Sequence, residues 1–467
     1  MQNIVIIGAG PGGLAAARGA KEAGADRVIV LERDTVPGGI LNQCIHDGFG
    51  LIRYKKQLTG TEYAVRAAAE AEAAGAELKT GHHVIRIDKT SGRFIVTAIS
   101  RDGIGRFNAD AVIISTGCRE RTRGAISIPG SRPAGVFTAG VVQNFVNIRN
   151  IMPGKRVVIL GSGDIGMIMA RRLTLEGAEV RAVVEILPEP AGLARNVSQC
   201  LYDFGIPIHC RHTVSRIIGK KKLEAVEISA LDDNMKPVKG TEEVIECDAL
   251  ILSVGLIPEN EVAETAGVEL DPRTNGTVTD EYLQTSVPGI FSCGNSRRIM
   301  DLADFVSEQG ELAGRNAVAY LDGTVMQSWD EARSTPMTKG YPEADTVTCT
   351  LCPNGCQVRF RDGKYEGNKC PRGAGFAEQE RTNPKRILTT TVKTAGGRLL
   401  PVRTESPIDK SMLFEAIGEI RERTGSEDAV KIPAAELSVQ CGDRIAAVHD
   451  GNGEEIAVIA TASIRNH

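Results

Sequence analysis

Apolar and polar positions divide most of the chain into two passes through one series. Ile4–Ile7 and Val157–Leu160 are short unbroken apolar runs, the pattern of strands buried on both faces. A glycine-rich turn follows each, and then a helix-like stretch. Later in each pass comes a second apolar run, Val112–Ile114 or Leu250–Leu252, ending in Ser115-Thr116-Gly117 or Ser253-Val254-Gly255. A repeat of this kind predicts two related nucleotide-binding units. Residues 3–32 read as strand, helix, strand. Glu62–Ala76, alanine-rich with interspersed polar residues, reads as a surface helix, and Val84–Ile99 reads as strands around a turn at Lys89–Gly92. Ile290–Asn295 reads as a short strand ending in Gly294-Asn295. Helical spacing runs from about Leu302 to Tyr320, with Asp301 as the expected N-cap. Residues 328–345 lack periodicity and hold Pro336, Gly340 and Pro342, as a linker or wrapping segment would. A separate module starts near Thr346.

The two turns are Gly8-Ala9-Gly10-Pro11-Gly12-Gly13 and Gly161-Ser162-Gly163-Asp164-Ile165-Gly166. Gly8, Gly10 and Gly13, like Gly161, Gly163 and Gly166, let the backbone turn tightly and approach a pyrophosphate. The helix that follows points its unpaired N–H groups at the phosphates. A glutamate stands nineteen residues past the last glycine of each turn, Glu32 and Glu185. At that distance a carboxylate can accept hydrogen bonds from an adenosine ribose. A chain with two such sites is expected to move electrons from one dinucleotide to another. Glu185 favours NAD(H), because a carboxylate repels the extra phosphate of NADP(H). Arg181, four residues earlier, weighs the other way.

Bulk properties narrow the class. A formal net charge of -4 and 4% aromatic residues argue against nucleic acid as a partner. Lys220-Lys221-Lys222 reads as a solvated turn. No apolar run reaches transmembrane length. A strand starting at Asn3 leaves no room for a signal peptide. Eleven cysteines without a leader suggest reduced thiols, so a soluble, cytoplasmic protein is expected.

Four of those cysteines cluster. Cys349, Cys352 and Cys356 form C-x2-C-x3-C, and Cys370 follows after thirteen intervening residues. Thiolates converging from two short loops suit a metal site. Three cysteines in one loop favour a [4Fe–4S] cluster. Zinc is the alternative, with the module then serving as a docking surface and electrons leaving directly from the flavin.

Together these residues resemble the two-dinucleotide-domain flavoproteins typified by glutathione reductase and NADH-dependent ferredoxin reductases. The resemblance implies an α/β chain of two Rossmann-like domains, the NAD domain inserted in the FAD domain, plus a small cysteine-cluster domain. The expected boundaries are 1–120 and 247–327 for FAD, 121–246 for NAD, 328–345 for a linker and 346–467 for the four-cysteine domain. Gly117, Gly294 and Asn295 would complete the flavin site, with Asn295 where the family usually has aspartate. The helix after Asp301 would face the pyrimidine end of the flavin, its dipole favouring the reduced anion.

Gly38-Gly39 to Gly50 and Thr116–Arg121 resemble a subgroup of bacterial flavoproteins associated with FAD-dependent glycerol-3-phosphate dehydrogenases and, more distantly, flavin subunits of opine and sarcosine oxidases. That resemblance adds Gly39 to the cofactor-binding set. It also implies a partner oxidoreductase subunit, with homo- or hetero-oligomeric assembly left open. Cys44 lies where disulfide reductases of the larger family carry a cysteine pair, but no second cysteine is near. A lone Cys44 cycling through a sulfenic acid, with His46 as proton donor, gives the rival reading of a peroxidase, oxidase or disulfide reductase. A packed side chain beside the flavin is the other reading.

Overall fold

The computed structural model describes residues 2–90, 92–334, 337–394, 398–424 and 439–463. Parts of the expected linker (335–336) and of the expected C-terminal module (395–397, 425–438 and 464–467) lie outside the described residues. The chain forms two compact units, Met1–Arg119 with Leu256–Thr335, and Glu120–Gly255 with Pro336–His467.

In the first unit the predicted apolar runs become a parallel sheet. Its spatial order is Ile290–Ser292, Ala111–Ile114, Asn3–Ile7, Arg27–Leu31, Glu77–Lys79. The four central positions from Ile4 to Ile7 and from Ala111 to Ile114 are all buried, as continuous apolar runs in a parallel sheet should be. The helices Pro11–Glu22 and Ala303–Asp322 pack closely on one another. A Cβ on Gly310 would lie 2.1 Å from the Gly12 carbonyl oxygen, and one on Gly314 would lie 2.1 Å from that of Ala16. The alanine-rich helix is Gly60–Ala73, opened by a capping box of Thr59 and Glu62. It is half-sunk rather than superficial: Tyr63, Ala64, Ala67 and Ala71 join the core. An antiparallel sheet of His83–Thr90, Arg93–Ser100 and Gly103–Ala109 covers the other face.

The second unit repeats the plan. Its parallel sheet runs Val136–Thr138, Ala249–Leu252, Arg156–Leu160, Glu179–Glu185, Ile208–Cys210. The segment 247–255, expected with the FAD domain, therefore belongs here. The reason is register: Leu250 pairs in parallel with both Val158 and Val136, and the whole Ala249–Leu252 run is buried between them. An antiparallel sheet of His212–Gly219, Leu223–Ala230 and Glu243–Glu246 follows.

The cysteine-bearing module belongs to this same unit. Short strands Val347–Thr348, Gln357–Arg361 and Lys364–Glu366 carry the first cysteine loop, and the helix Pro371–Thr382 follows the fourth cysteine. Beyond it, Thr389–Lys393, Leu399–Thr404, Glu455–Ala460 and Arg444–His449 form an antiparallel sheet against the helix Leu413–Thr424. Their shared core takes in Leu175 from the nucleotide-binding part, with Phe204 packed against it. Buried charges close the same seam. Arg386 bonds Asp203 at 2.7 Å and Glu380 at 2.6 Å, and Arg172 reaches Glu176 at 2.6 Å and Thr390 at 3.3 Å.

Candidate functional site

The first cradle is built from backbone. Gly8 N–H donates to the Leu31 carbonyl at 2.8 Å, and Ser115 N–H donates to that of Ile7 at 2.9 Å. Gly8 has φ +99°, and a Cβ there would lie 2.3 Å from the Ser115 oxygen. A Cβ on Gly13 would lie 1.8 Å from the Gly8 oxygen. These glycines are required by close approach. Gly10 faces open space. It also caps the helix Pro11–Glu22 without a side-chain bond, which leaves the first N–H groups for an anion. Gly39, at φ +55°, closes on Gly10: its Cβ would be 3.1 Å from the Gly10 Cα.

Glu32 is buried and acts as a latch. One carboxylate oxygen accepts from Ala9 N–H at 2.8 Å, the other from Asp34 N–H at 2.8 Å. Burial pushes this carboxyl above its ordinary value, against the pull of those two donors. Each oxygen keeps a second lone-pair direction for a ribose hydroxyl.

The second cradle reproduces these bonds. Gly161 N–H donates to Val184 at 2.7 Å, and Ser253 N–H donates to Leu160 at 2.7 Å. Cβ atoms on Gly161 and Gly166 would meet the Ser253 and Gly161 oxygens at 2.0 and 2.6 Å, while Gly163 is nearly open. Glu185 accepts from Ser162 N–H at 2.9 Å and from Leu187 N–H at 2.9 Å. The Ser162 hydroxyl adds a further bond to Glu185 at 2.5 Å and accepts from Ala191 N–H at 2.9 Å. Asp164 accepts from Leu193 N–H and the Asn196 amide, both at 2.8 Å. Arg181 is paired with Glu179 at 2.9 Å.

The residues expected beside the flavin meet in the first unit. Gly294 N–H donates to the Gln309 side-chain Oε1 at 2.7 Å, and the Asn295 amide lies 3.5 Å from the Cys118 sulfur, next to Gly117. Gly117 has φ +77° and an open Cβ direction. Gln309 is fully buried and its Nε2 has no partner among the described residues. Sequence reasoning missed Gln309 because it reads as one polar position in a helical stretch. Asp301 is not the N-cap. The helix starts at Ala303 after Leu302, and Asp301 is exposed outside it. The carboxylate of the first turn is Asp304, buried and accepting from Gly50 N–H at 3.2 Å and Arg53 N–H at 2.8 Å. The cap position is set by this long-range tie, which a local pattern does not carry.

Cys44 is buried, with its sulfur 3.3 Å from the Ile40 carbonyl oxygen. Gly60 presses on it so closely that a Cβ would be 2.6 Å from that of Cys44. His46 stacks obliquely on Phe49 at 5.0 Å.

In the cysteine module Cys349 N–H donates to the Cys356 carbonyl at 2.9 Å, which folds the loop back. Cys349 and Cys356 are buried, Cys352 and Cys370 half-buried, and none is in a disulfide. Burial pushes the Cys349 thiol up to about 11, and the Cys352, Cys356 and Cys370 thiols add to the rise. The backbone N–H of Gly373 holds the Cys370 thiol below its ordinary value. Four thiols are the donor type that a thiolate-held cluster uses. Among the described residues no group of three His, Cys, Asp or Glu is arranged to hold a metal ion. No helix among the described residues is long and apolar enough to cross a membrane.

Residues 371–461 match a family of unknown function, DUF1667. Relatives match about two thirds of the chain. It is similar to an opine oxidase subunit of Agrobacterium tumefaciens (strain Ach5), 27% identical over 347 residues covering 68% of this chain and 66% of that one. It is similar to thioredoxin reductase of Listeria innocua, 27% identical over 68% of this chain and 94% of the relative. It is also similar to the glutamate synthase [NADPH] small chain of Mycobacterium tuberculosis, 26% identical over 69% and 67%. Among solved structures, T. acidophilum thioredoxin reductase superposes with a TM-score of 0.57 at 26% identity, over 69% of this chain and 99% of that one. Residues 2–310, the two glycine cradles included, match the pyridine nucleotide-disulphide oxidoreductase family, and the chain belongs to it, an FAD- and NAD(P)-dependent oxidoreductase.

Proposed function

We propose that the chain passes electrons between NAD(H), FAD and a [4Fe–4S] cluster held by Cys349, Cys352, Cys356 and Cys370. In this reading it works as one subunit beside a substrate-oxidising flavoprotein of the glycerol-3-phosphate dehydrogenase kind. Gly8, Gly10, Gly13, Glu32 and Gly39 hold the FAD, completed by Gly117, Gly294 and Asn295. Gly161, Gly163, Gly166 and Glu185 hold NAD(H). Arg181 supports NAD(H) over NADP(H) by being engaged with Glu179 rather than free to meet a phosphate.

The observation that carries the reading is the shared unit of the second cradle and the cysteine loop. Thr338 accepts from Ala194 N–H at 2.9 Å and donates to the Asn354 carbonyl, inside the cysteine loop, at 2.8 Å. A flavin held at the first cradle would supply conversion between the two electrons of a hydride and the single electrons a cluster accepts. The protein's own task is to orient each cofactor and hold the thiols. The names of two relatives, one an oxidase subunit and the other a synthase small chain, support work within an assembly.

Anaerobic purification followed by iron, sulfide and flavin analysis tests the proposal. About four irons and four sulfides per chain, reducible by NADH, are expected. Stoichiometric zinc without sulfide would replace the cluster with a docking module.

A further inference from the structure

We infer that the connector Thr338–Tyr341 walls the adenosine end of the second dinucleotide pocket and that Tyr341 positions the adenosine ribose; this rests on reading that pocket as the NAD(H) site. Glu185 ends its strand, and the neighbouring strand sets Cys210 beside it in register. The Tyr341 hydroxyl lies 3.0 Å from the Cys210 sulfur. The phenol thus stands at the carboxyl ends of the parallel strands, where dinucleotides bind in open α/β sheets.

The connector is held there at several points. Ala194 N–H donates to Thr338 at 2.9 Å, and Gly340 N–H donates to Gly192 at 3.2 Å. Lys339 makes an antiparallel bridge with Leu193. That rim hangs in turn from the glycine loop, since Gly192 N–H donates to Ser162 at 3.1 Å and Leu193 N–H donates to Asp164 at 2.8 Å. Gly340, at φ +89°, runs so close that a Cβ would lie 2.7 Å from a Glu189 carboxylate oxygen. Tyr341 keeps 37% of its surface open. A phenol offers a ligand both a flat apolar face and a hydroxyl. The Glu185 oxygens already accept three protein donors, so a ribose with two hydroxyls has use for another partner.

Calorimetric titration of the full-length, flavin-loaded protein with ADP-ribose tests the assignment. Tyr341→Phe, which keeps the ring, is expected to weaken binding about threefold to tenfold, the worth of one hydrogen bond. Tyr341→Ala is expected to weaken it further, with KM for NADH rising while kcat and flavin content hold. A second readout is independent of turnover: saturating ADP-ribose should slow alkylation of Cys210, followed by mass spectrometry. Unchanged affinity in both variants together with unprotected Cys210 would overturn the inference while leaving the pocket assigned. Tighter binding by Tyr341→Ala would overturn it too, as the mark of an obstruction. A wild-type protein that binds neither ADP-ribose nor NADH would remove the pocket's assignment itself.

Discussion

The two glycine cradles are near copies in backbone and differ in side chains. In both, a glutamate at the end of the second strand latches the loop's second residue and the residue two places beyond itself. In both, a later glycine N–H clasps the second residue's carbonyl, Gly38 on Ala9 at 2.7 Å and Gly192 on Ser162 at 3.1 Å. The first loop stops there, since Ala9 and Pro11 offer no further polar group. The second has Ser162 and Asp164 at those places, and both reach into residues 191–196. A cradle needs only backbone to receive a pyrophosphate. Side-chain polarity in the loop joins it to something else, and here that is the connector and the cysteine module.

Matched valines would break the comparison most severely. Gly13→Val should cut flavin retention by about tenfold or more, because the new side chain collides with the Gly8 carbonyl. Gly166→Val should leave flavin absorbance intact and remove NADH binding by a similar factor. Loss of both cofactors from either variant would mean that the cradles are not independent.

Next in size is Arg386→Ala, which acts on the second unit alone. It takes the cation from Glu380 and leaves Asp203 with Lys410 alone, and denaturation should show a loss of about 3–5 kcal/mol. Flavin content should stay constant. Glu185→Ala comes third. Losing a charged acceptor should weaken NADH binding about tenfold to a hundredfold, and NADPH binding less, as read by titration of each nucleotide. Equal losses would discredit the ribose contact.

The smallest effect sharpens the contrast through pH. Glu32 has its carboxyl raised by burial, so the native first unit holds its proton more tightly than the unfolded chain does. Its stabilising contribution is fully present below the ordinary glutamate pKa of about 4.3 and is lost as pH rises through the raised folded value. Glu32→Gln should flatten that slope in denaturation curves recorded across the acid range. An unchanged slope would assign it to another group.

Much of this architecture was legible from short stretches of sequence. The cradles are local: strand, glycines, helix and glutamate all fall within one βαβ turn, so spacing alone places Gly8, Gly13, Glu32 and their counterparts. What was illegible depends on partners far along the chain. Asp301 looked like a cap because capping patterns are local, whereas Asp304 is held by Gly50 and Arg53. Gln309 gains its meaning only from Gly294. The Ala249–Leu252 strand did carry a signal, its Ser-x-Gly ending. Following the repeat strictly would have placed it in the second unit. Nothing local marks Asp203 as the counter-charge of Arg386, or Tyr341 as a neighbour of Cys210.

The seam between nucleotide-binding fold and cysteine module has a practical corollary. Trimming the chain to the length of a thioredoxin reductase would not yield a simpler enzyme. It would lay bare Leu175 and Phe204, leave Asp203 without Arg386 and Lys410, and reduce the cations of Glu176 from Arg172 and Arg421 to Arg172 alone. The appendage is thus built in as masonry, and a shortened version would need its exposed face redesigned before it could be expected to stand.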